Sequence, residues 1–537
     1  MPTITLKPTN AEVRADAGAP LRDLLFEQGV EFPCGGKGRC RGCKVRVLSG
    51  EAGVNQAQRD HLTEAEIDQG WRLACQCELQ GDLVIELRQW DAAILADDAA
   101  FNFTPREGLG LAVDLGTTTL VAQLLDLQTS HVLAVRTALN PQARFGADVM
   151  SRVTYAVHEG GQAQLQKIIR DQIGKLIRDL VFAAQVDATR IIDVTIVGNT
   201  VMHHLFSGID LEPMSHYPFV PIYDGLKVFS AEELGWHLAS HATVRFLPCL
   251  GGFVGSDILA GVLATRLHES DELMGLVDLG TNGEIVIGNK HGLLTASTAA
   301  GPAFEGARIG MGMRAASGAI SEVSVNGEGL KCHVIGNIAP TGICGSGLVD
   351  AVAAGLDLEV ILPSGRLNEG SAGIYRTDEL KWMLVEPVHI GQTDVRQLQL
   401  AKGAIAAGVG ILLKQWLMEH APNSSPNPMV RNVLSDSPHQ DVPPLPEGEG
   451  LKRLYLAGAF GNYINRASAQ RIGLIKFPPE RVTPSGNTAL LGAKLALFEP
   501  DADYSAIVKM TRHVSLSEDP EFMDAYVEEM IFPSEET

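Results

Sequence analysis

A small α+β domain at the amino end, followed by a larger α/β domain of two similar lobes, is the architecture this 537-residue sequence predicts. Three observations predict it. Cysteines spaced by glycines cluster between Cys34 and Cys43, among short alternating strands. From Gly110 the texture changes to apolar strands, glycine-rich turns and long helices. One design, an apolar strand ending in Asp-Leu-Gly-Thr, occurs twice, at Asp114-Leu115-Gly116-Thr117 and at Asp278-Leu279-Gly280-Thr281.

In chain order, residues 1–92 read as the small unit. Thr3 to Leu6, Lys44 to Leu48 and Leu83 to Leu87 have strand patterning, and Leu21 to Gln28 has helical spacing that stops near Gly29. Residues 93–107, with Asp97, Asp98 and Pro105, read as a linker. Lobe I is expected over 108–270: a buried strand from Leu109 to Asp114, its hairpin partner from Leu120 to Leu127, and a helix from Ala163 to Ala184. Lobe II is expected over 271–500, interrupted by a Pro-, Ser- and Asp-rich disordered insertion at 421–450. The recurring strand–acid–turn design is a weak internal repeat. Residues 501–537 form a tail whose Phe522, Tyr526, Met530 and Phe532 are suited to dock on the body.

Composition narrows the function classes. Lys and Arg number 43 against 64 Asp and Glu, a net charge of −21, which disfavours nucleic acid and anionic membrane surfaces as partners. No apolar run reaches bilayer length, and Met1 to Leu6 lacks a basic, apolar leader, so a cytoplasmic protein is expected. Eight cysteines are too few for a disulfide framework in this length, and several have metal-ligand spacing.

Cys34, Cys40 and Cys43 lie on one loop with Gly35, Gly36, Gly38 and Gly42, and Arg72-Leu73-Ala74-Cys75 offers a fourth thiolate. Four thiolates suit a [2Fe–2S] cluster, and the glycines permit the backbone to curl closely around it. The C-x5-C-x2-C loop is one residue longer than the plant-type spacing. Four-cysteine zinc is the competing reading, but only Cys40 and Cys43 have the knuckle spacing. The fourth ligand is Cys75 or Cys77; a strand would point both to one face, and Cys75 is favoured. Lys37, Arg39, Arg41, Lys44 and Arg46 form a basic collar, either a solvated face or a dock for an acidic redox partner.

Phosphoryl chemistry needs donors around the phosphates, a metal and a positioned water. Asp114 and Asp278 end buried strands and are the candidate catalytic acids, holding Mg²⁺ through water or orienting the attacking water. Gly116, Thr117, Thr118 and Thr119, and Gly280, Thr281, Asn282 and Gly283, supply amides and hydroxyls to two sides of an ATP phosphate tail. Gly458, Gly461 and Asn462 follow the strand at Leu454 and suit an adenosine, or else a tightly packed turn. Gly301 and Glu305 fall on a turn after the second hairpin, and Gly345 and Ser346 open a helix whose amides suit an anion. No P-loop signature is present. His203 and His204 are adjacent on a helix and diverge, which favours structural roles; the polar run from Asn140 to Asp148 has no chemistry assignable from spacing.

In combination and order, the cluster loop, Arg72 to Cys75, Asp114 to Thr119, Asn140 to Gln142, Gly146 to Val149, Val197 to Thr200, Asp278 to Glu284, Gly301 to Gly306, Gly342 to Gly347 and Ala457 to Asn462 resemble the reductive activators of corrinoid proteins, over residues 1 to about 500. The resemblance implies a ferredoxin-like β-grasp domain joined to a two-lobed ATPase of the actin, acetate and sugar kinase and heat-shock-protein type. It implies cluster ligands Cys34, Cys40, Cys43 and Cys75, and nucleotide contacts at the hairpins and at Gly458 to Gly461. The implied activity is ATP-dependent reduction of an inactive Co(II) corrinoid to Co(I), rescuing a methyltransferase system. The implied partners are a corrinoid protein or corrinoid-dependent methyltransferase and a low-potential electron donor, with a homodimer as the assembly. Long members of the family carry a dimerising middle domain, and the short distance between Cys75 and Asp114 predicts a short form without it.

Electron transfer driven by lobe closure is one expected mechanism. Activation of a dehydratase-type radical enzyme and a redox-sensing ATP-binding regulator are the alternatives. The four-cysteine amino-terminal unit argues against the dehydratase class, whose cluster is [4Fe–4S] and shared across a dimer.

Overall fold

The computed structural model describes residues 1–7, 11–26, 43–87, 103–146, 148–280, 282–306, 308–313, 315, 318–327, 329–420, 450–461 and 464–534. The amino-terminal sheet holds β1 (Thr3–Lys7), β2 (Ala11–Arg14), β3 (Lys44–Ser49), β4 (Trp71–Leu73) and β5 (Leu83–Leu87), in the order β2-β1-β5-β3-β4. β1 runs parallel to β5, and the other pairs are antiparallel. β1 alternates half-buried and buried positions, placing Ile4 and Leu6 under the helix Leu21–Phe26 with Leu21 and Leu25. This is the β-grasp arrangement.

The body is built on two six-stranded sheets. The first contains β6 (Leu109–Leu115), β7 (Thr119–Asp126), β8 (Val132–Leu139), β9 (Ile191–Gly198), β10 (Lys227–Ser230) and β11 (Thr243–Phe246), ordered β10-β11-β9-β6-β7-β8. The second begins with β12 (Met274–Leu279), β13 (Gly283–Asn289) and β14 (Gly292–Thr298). Two small three-stranded sheets follow it, one from β15 (Ala319–Asn326), β16 (Gly329–Val334) and β17 (Gly342–Ile343), the other from β18 (Ile374–Arg376), β19 (Leu380–Val385) and β20 (Val388–Gly391). β21 (Arg453–Ala457), β22 (Val482–Gly486) and β23 (Thr511–His513) complete the second large sheet as β22-β21-β12-β13-β14-β23.

The two large sheets repeat one plan. In each, three antiparallel strands (β6-β7-β8; β12-β13-β14) are extended by two parallel ones (β9 and β11; β21 and β22). The central strands are apolar throughout because both faces are covered. The weak repeat in the sequence is thus a duplicated lobe, and the fold class is that of the actin and sugar-kinase ATPases. The helix Gln162–Ala184 covers the first sheet with Leu165, Ile169, Ile173 and Leu176, stopping where Gln185 turns left-handed.

Between the lobes lie two nearly all-apolar helices, Ser256–Thr265 and Thr488–Phe498, which pack directly on each other. Gly492 makes this possible: a Cβ there would stand 2.0 Å from the Ala260 carbonyl oxygen. The second helix belongs to the lobe II span of the sequence yet packs on β6 and β9 of lobe I, so the lobes interlock.

Helix Gln392–His420 is long and apolar enough to cross a membrane, contrary to the expectation that no segment would be. Its most apolar window is 61% buried, packed on β13 and β14, as a core helix is. The tail is part of the body: β23 pairs with β14, and Phe532 is held through Lys402, which donates to the Ile531 carbonyl at 2.7 Å. Most of the expected linker and the insertion fall outside the described residues.

Candidate functional site

Two places carry the residues singled out in the sequence. At the amino-terminal one, Cys34 and Cys40 lie outside the described residues, as do Lys37, Arg39 and Arg41. The antiparallel register Lys44↔Leu73 brings the ends of β3 and β4 together, and the Ala74 amide donates to the Cys43 carbonyl at 3.0 Å. Cys43, at the end of the cysteine loop, therefore adjoins the segment of Cys75. The idea that Cys75 and Cys77 share a strand face does not hold, because Ala74–Gln76 is a 3₁₀ turn. The turn separates the two thiols: Cys75 is half-buried, while Cys77 is buried against the Leu73 carbonyl, 3.4 Å away. Burial pushes the Cys77 thiol up to about 12, so it is a poor thiolate. Within the collar, Lys44 is paired with Glu66 and lies 4.2 Å from the Trp71 ring centre, and Arg46 donates to the Gln69 carbonyl. These two are internal braces. The described donors, one buried and one half-buried thiol at adjoining strand ends, fit a thiolate-held cluster.

The second place lies where the two large sheets meet. Asp114 and Asp278 occupy equivalent positions near the ends of β6 and β12. Asp257, on the first turn of Ser256–Thr265, and Glu284, on β13, join them. The four carboxyls repel one another. Burial pushes Asp114 up to about 6, against a 2.7 Å hydrogen bond donated by the Asn487 amide. Burial and then the Asp114 charge move Asp278 up to about 7. Burial followed by the charges of Asp278 and Asp114 raises Asp257, and burial followed by Asp257 and Asp278 raises Glu284. Such a concentration of negative charge suits a divalent cation. Among the described residues, no three His, Cys, Asp or Glu side chains are placed to ligate one directly.

Each hairpin has its own logic. In the first, the Gly116 amide donates to the Thr119 carbonyl, and a Cβ at Gly116 would stand 2.5 Å from that oxygen. The Asn140 side chain donates to the Gly116 carbonyl and its amide to Thr118; Asn199 holds the Thr117 hydroxyl at 2.8 Å. Arg152, fully buried, donates to the Thr117 carbonyl at 2.6 Å, to Gly146 and to Gln142. The polar run from Asn140 is thus the brace of this hairpin, a role its spacing did not reveal. In the second hairpin the Gly280 amide donates to Asn282, and a Cβ at Gly280 would be 3.6 Å from the nearest atom, an ordinary contact. Gly283 lies buried on β13, and Thr281 is outside the described residues.

Gly458, with φ +82°, runs its backbone over Asp278, whose Oδ1 would be 2.6 Å from a Cβ. Gly461 ends the same short helical turn, and Asn462 lies outside the described residues. Phe460 stacks on Phe304 at 4.7 Å, beside Glu305. Gly301, with φ +79°, has open space where a Cβ would be. Gly345 packs on the Phe304 carbonyl, where a Cβ would be 1.8 Å away, and the Ser346 hydroxyl is buried, donating to Ser321. His203 and His204 are buried in Thr200–Ser207 and contact the carbonyls of Gly225 and Thr200. Asp257, Glu284, Asn487 and Arg152 are the site residues sequence reasoning did not select. The only local signal was Glu284 two residues beyond Asn282.

Three family models match the chain: a 2Fe-2S iron-sulfur cluster binding domain over residues 4–80, the RACo middle region over 109–270, and the C-terminal ASKHA domain of RACo over 272–422 and 447–537. The second match overturns the expected short form. The short Cys75–Asp114 spacing excludes an insertion before the first hairpin, but the middle region is the span containing that hairpin, the span taken for lobe I. The third model skips most of the low-complexity insertion. A corrinoid activation enzyme, RamQ, of Eubacterium limosum is 33% identical over 447 residues, 79% of this chain and 70% of that protein. The [Co(II) methylated amine-specific corrinoid protein] reductase of Methanosarcina barkeri is 25% identical, over 73% of this chain and 70% of its own length. Among solved structures, a reductive activator for corrinoid, iron-sulfur protein superposes with TM-score 0.68 at 28% identity, covering 99% of this chain and 98% of its own. The chain belongs to the family of reductive activators of corrinoid proteins.

Proposed function

We propose that this protein uses ATP to reduce an inactive Co(II) corrinoid, held on a corrinoid protein, to Co(I), returning a methyltransferase system to activity. One electron is added to cobalt per turnover, supplied by a separate low-potential donor, and ATP is hydrolysed to ADP and phosphate. The observation that carries the reading is the interlobe cluster of Asp114, Asp257, Asp278 and Glu284 behind two glycine hairpins, on one chain with the Cys43–Cys75 strand ends.

Cys34, Cys40, Cys43 and Cys75 would hold the [2Fe–2S] cluster. When bound, that cluster supplies a one-electron carrier near about −400 mV. Gly116 to Thr119 and Gly280 to Gly283 receive the phosphates from opposite lobes, and Gly458 to Asn462 receives the adenosine. Asp114 and Asp278, with no direct three-ligand site among the described residues, would hold Mg²⁺ through its waters. Glu284 and Asp257, whose carboxyls burial and their acidic neighbours hold above the ordinary range, are suited to take the proton of the attacking water. Every 100 mV of uphill transfer costs about 2.3 kcal/mol per electron. Lobe closure on ATP is the source from which docking to the corrinoid protein, and hence the cobalt potential, is biased.

The domain limits 1–92, 108–270 and 271–500, the cytoplasmic location and a homodimer belong to the same reading. The exposed side chains of Val220, Ile222, Leu226 and Val228, beside edge strand β10, support a second copy as a neighbour. The test is a variant with Asp114→Asn and Asp278→Asn together. It should keep the cluster absorption and lose ATP-stimulated Co(II) reduction; full activity would refute the coupling.

A further inference from the structure

The helix Leu21–Phe26 of the amino-terminal domain meets lobe II through one ion pair and one histidine–carboxylate contact. Arg22 donates to Glu322 at 2.7 Å, and Asp23 lies 3.3 Å from His333 Nε2. Glu322 and His333 are cross-strand partners on the β15–β16 hairpin. Asp23 is only 4% exposed. Burial opposes its ionisation, yet the His333 and Arg22 contacts outweigh this and hold its carboxyl below the usual range. The same helix touches the cysteine turn, since the Leu21 amide donates to the Cys77 carbonyl at 2.9 Å.

On its other side this hairpin reaches the nucleotide turn through contacts of almost no slack. The Ser321 carbonyl accepts from Ser346, and the Ile320 carbonyl would lie 2.2 Å from a Cβ at Gly347. Gly345 sits on the Phe304 carbonyl, and Phe304 stacks on Phe460. Phe460 belongs to the turn that begins at Gly458, against Asp278. Close packing of this kind, two backbone approaches joined to a hydroxyl bond and a ring stack, transmits a displacement instead of absorbing it.

We propose that Arg22–Glu322 and Asp23–His333 form a latch that positions the iron–sulfur domain on lobe II, and that the nucleotide held at the Gly458–Gly461 turn sets its strength through Phe460, Phe304 and the β15–β16 hairpin. The four latch residues are positioning residues, and the proposal rests on the electron-transfer reading above. Presentation of the cluster domain to a partner then depends on whether ATP or ADP occupies the clamp.

Amide exchange on the full-length, cluster-loaded protein tests it, with ADP and with a non-hydrolysable ATP analogue. Exchange at residues 21–26 should differ between the two nucleotides by roughly threefold or more. Arg22→Met, Glu322→Gln and the double variant should each lose that difference, with the double no worse than either single. Cluster absorption and basal ATP hydrolysis should stay unchanged, because the described partners of these two residues, Asp23 among them, belong to neither the cysteines nor the glycine hairpins. Should Arg22→Met fail to fold, Glu322→Gln on the more exposed partner interrogates the same bond. If the nucleotide leaves exchange at 21–26 unchanged, or if Glu322→Gln keeps the full difference, the latch is refuted. Wild-type protein that cannot reduce a Co(II) corrinoid protein with ATP would instead refute the electron-transfer reading, and the exchange result would still decide the latch.

Discussion

Replacing Asp278 with Asn should make this protein more stable and less active in one step. Asp278 stands among Asp114, Asp257 and Glu284, and burial together with the Asp114 charge moves its ionisation from the ordinary value near about 3.9 up to about 7. A carboxyl whose folded pKa lies above its unfolded one opposes folding when it is ionised. The penalty is absent below the unfolded value, grows as pH rises, and is complete above about 7. For this displacement it amounts to about 2 kcal/mol at pH 5 and about 4 kcal/mol at pH 8. Asn keeps the shape and has nothing to ionise. The Asp278→Asn protein should therefore melt above wild type at pH 8, by on the order of 5 °C, and by clearly less at pH 5. ATP-stimulated reduction should fall at least about a hundredfold, since the charge that destabilises the empty clamp is the one that meets the metal–nucleotide complex. Thermal unfolding at both pH values, with and without Mg-ADP, reads the first effect. A melting point at or below wild type at pH 8, or an offset equal at the two pH values, would show that the repulsion is not there.

The two hairpin glycines should respond differently to the same change. Gly116→Ala places a methyl 2.5 Å from the Thr119 carbonyl and should cost about 1–3 kcal/mol of stability, measured by denaturant unfolding. Gly280→Ala meets nothing closer than 3.6 Å, so its stability should match wild type while its nucleotide affinity, measured by calorimetry, falls. Arg152→Met leaves the Thr117 and Gly146 carbonyls without their donor and should cost about 1–3 kcal/mol per orphaned group, while loosening Thr117 in exchange experiments. Cys75→Ser should abolish or shift the visible absorption of the cluster, and Cys77→Ser, at a buried thiol bonded to Leu73, should leave it unchanged.

What the sequence made legible was local. The iron–sulfur domain and the strand-ending Asp-Leu-Gly-Thr turns could be read because their signals lie within ten residues of one another. The helix over 163–184 could be read because one apolar face repeats for six turns. Asn487 could not be read: its partner, Asp114, is 373 residues away, and nothing around Asn487 announces it. Arg152 looks like any helical arginine until the fold buries it behind Thr117. Two inferences failed for geometric reasons. Period-two alternation does not extend to Cys75 and Cys77, which lie across a 3₁₀ turn, and the short Cys75–Asp114 spacing does not remove the middle region, because that region contains the first hairpin.

The interlocked helices suit this duplicated body to the clamp proposed for it. Asn487 caps the lobe II helix Thr488–Phe498 through the Leu490 amide and, with its other end, bonds the lobe I acid Asp114. Asp257 does the converse: it starts the helix that leaves lobe I and feels the charge of Asp278 in lobe II. Each lobe thus lends a helix start to the other's glycine hairpin. The two helices touch at Gly492 and Ala260 with no side chain between them, so the lobes cannot slide apart there without losing the contact. Rotation about that point is the motion that the proposed function asks of the lobes. It opens or closes the distance between Asp114 and Asp278, where the negative charge is densest and where a metal–phosphate complex has most to gain by drawing the lobes together.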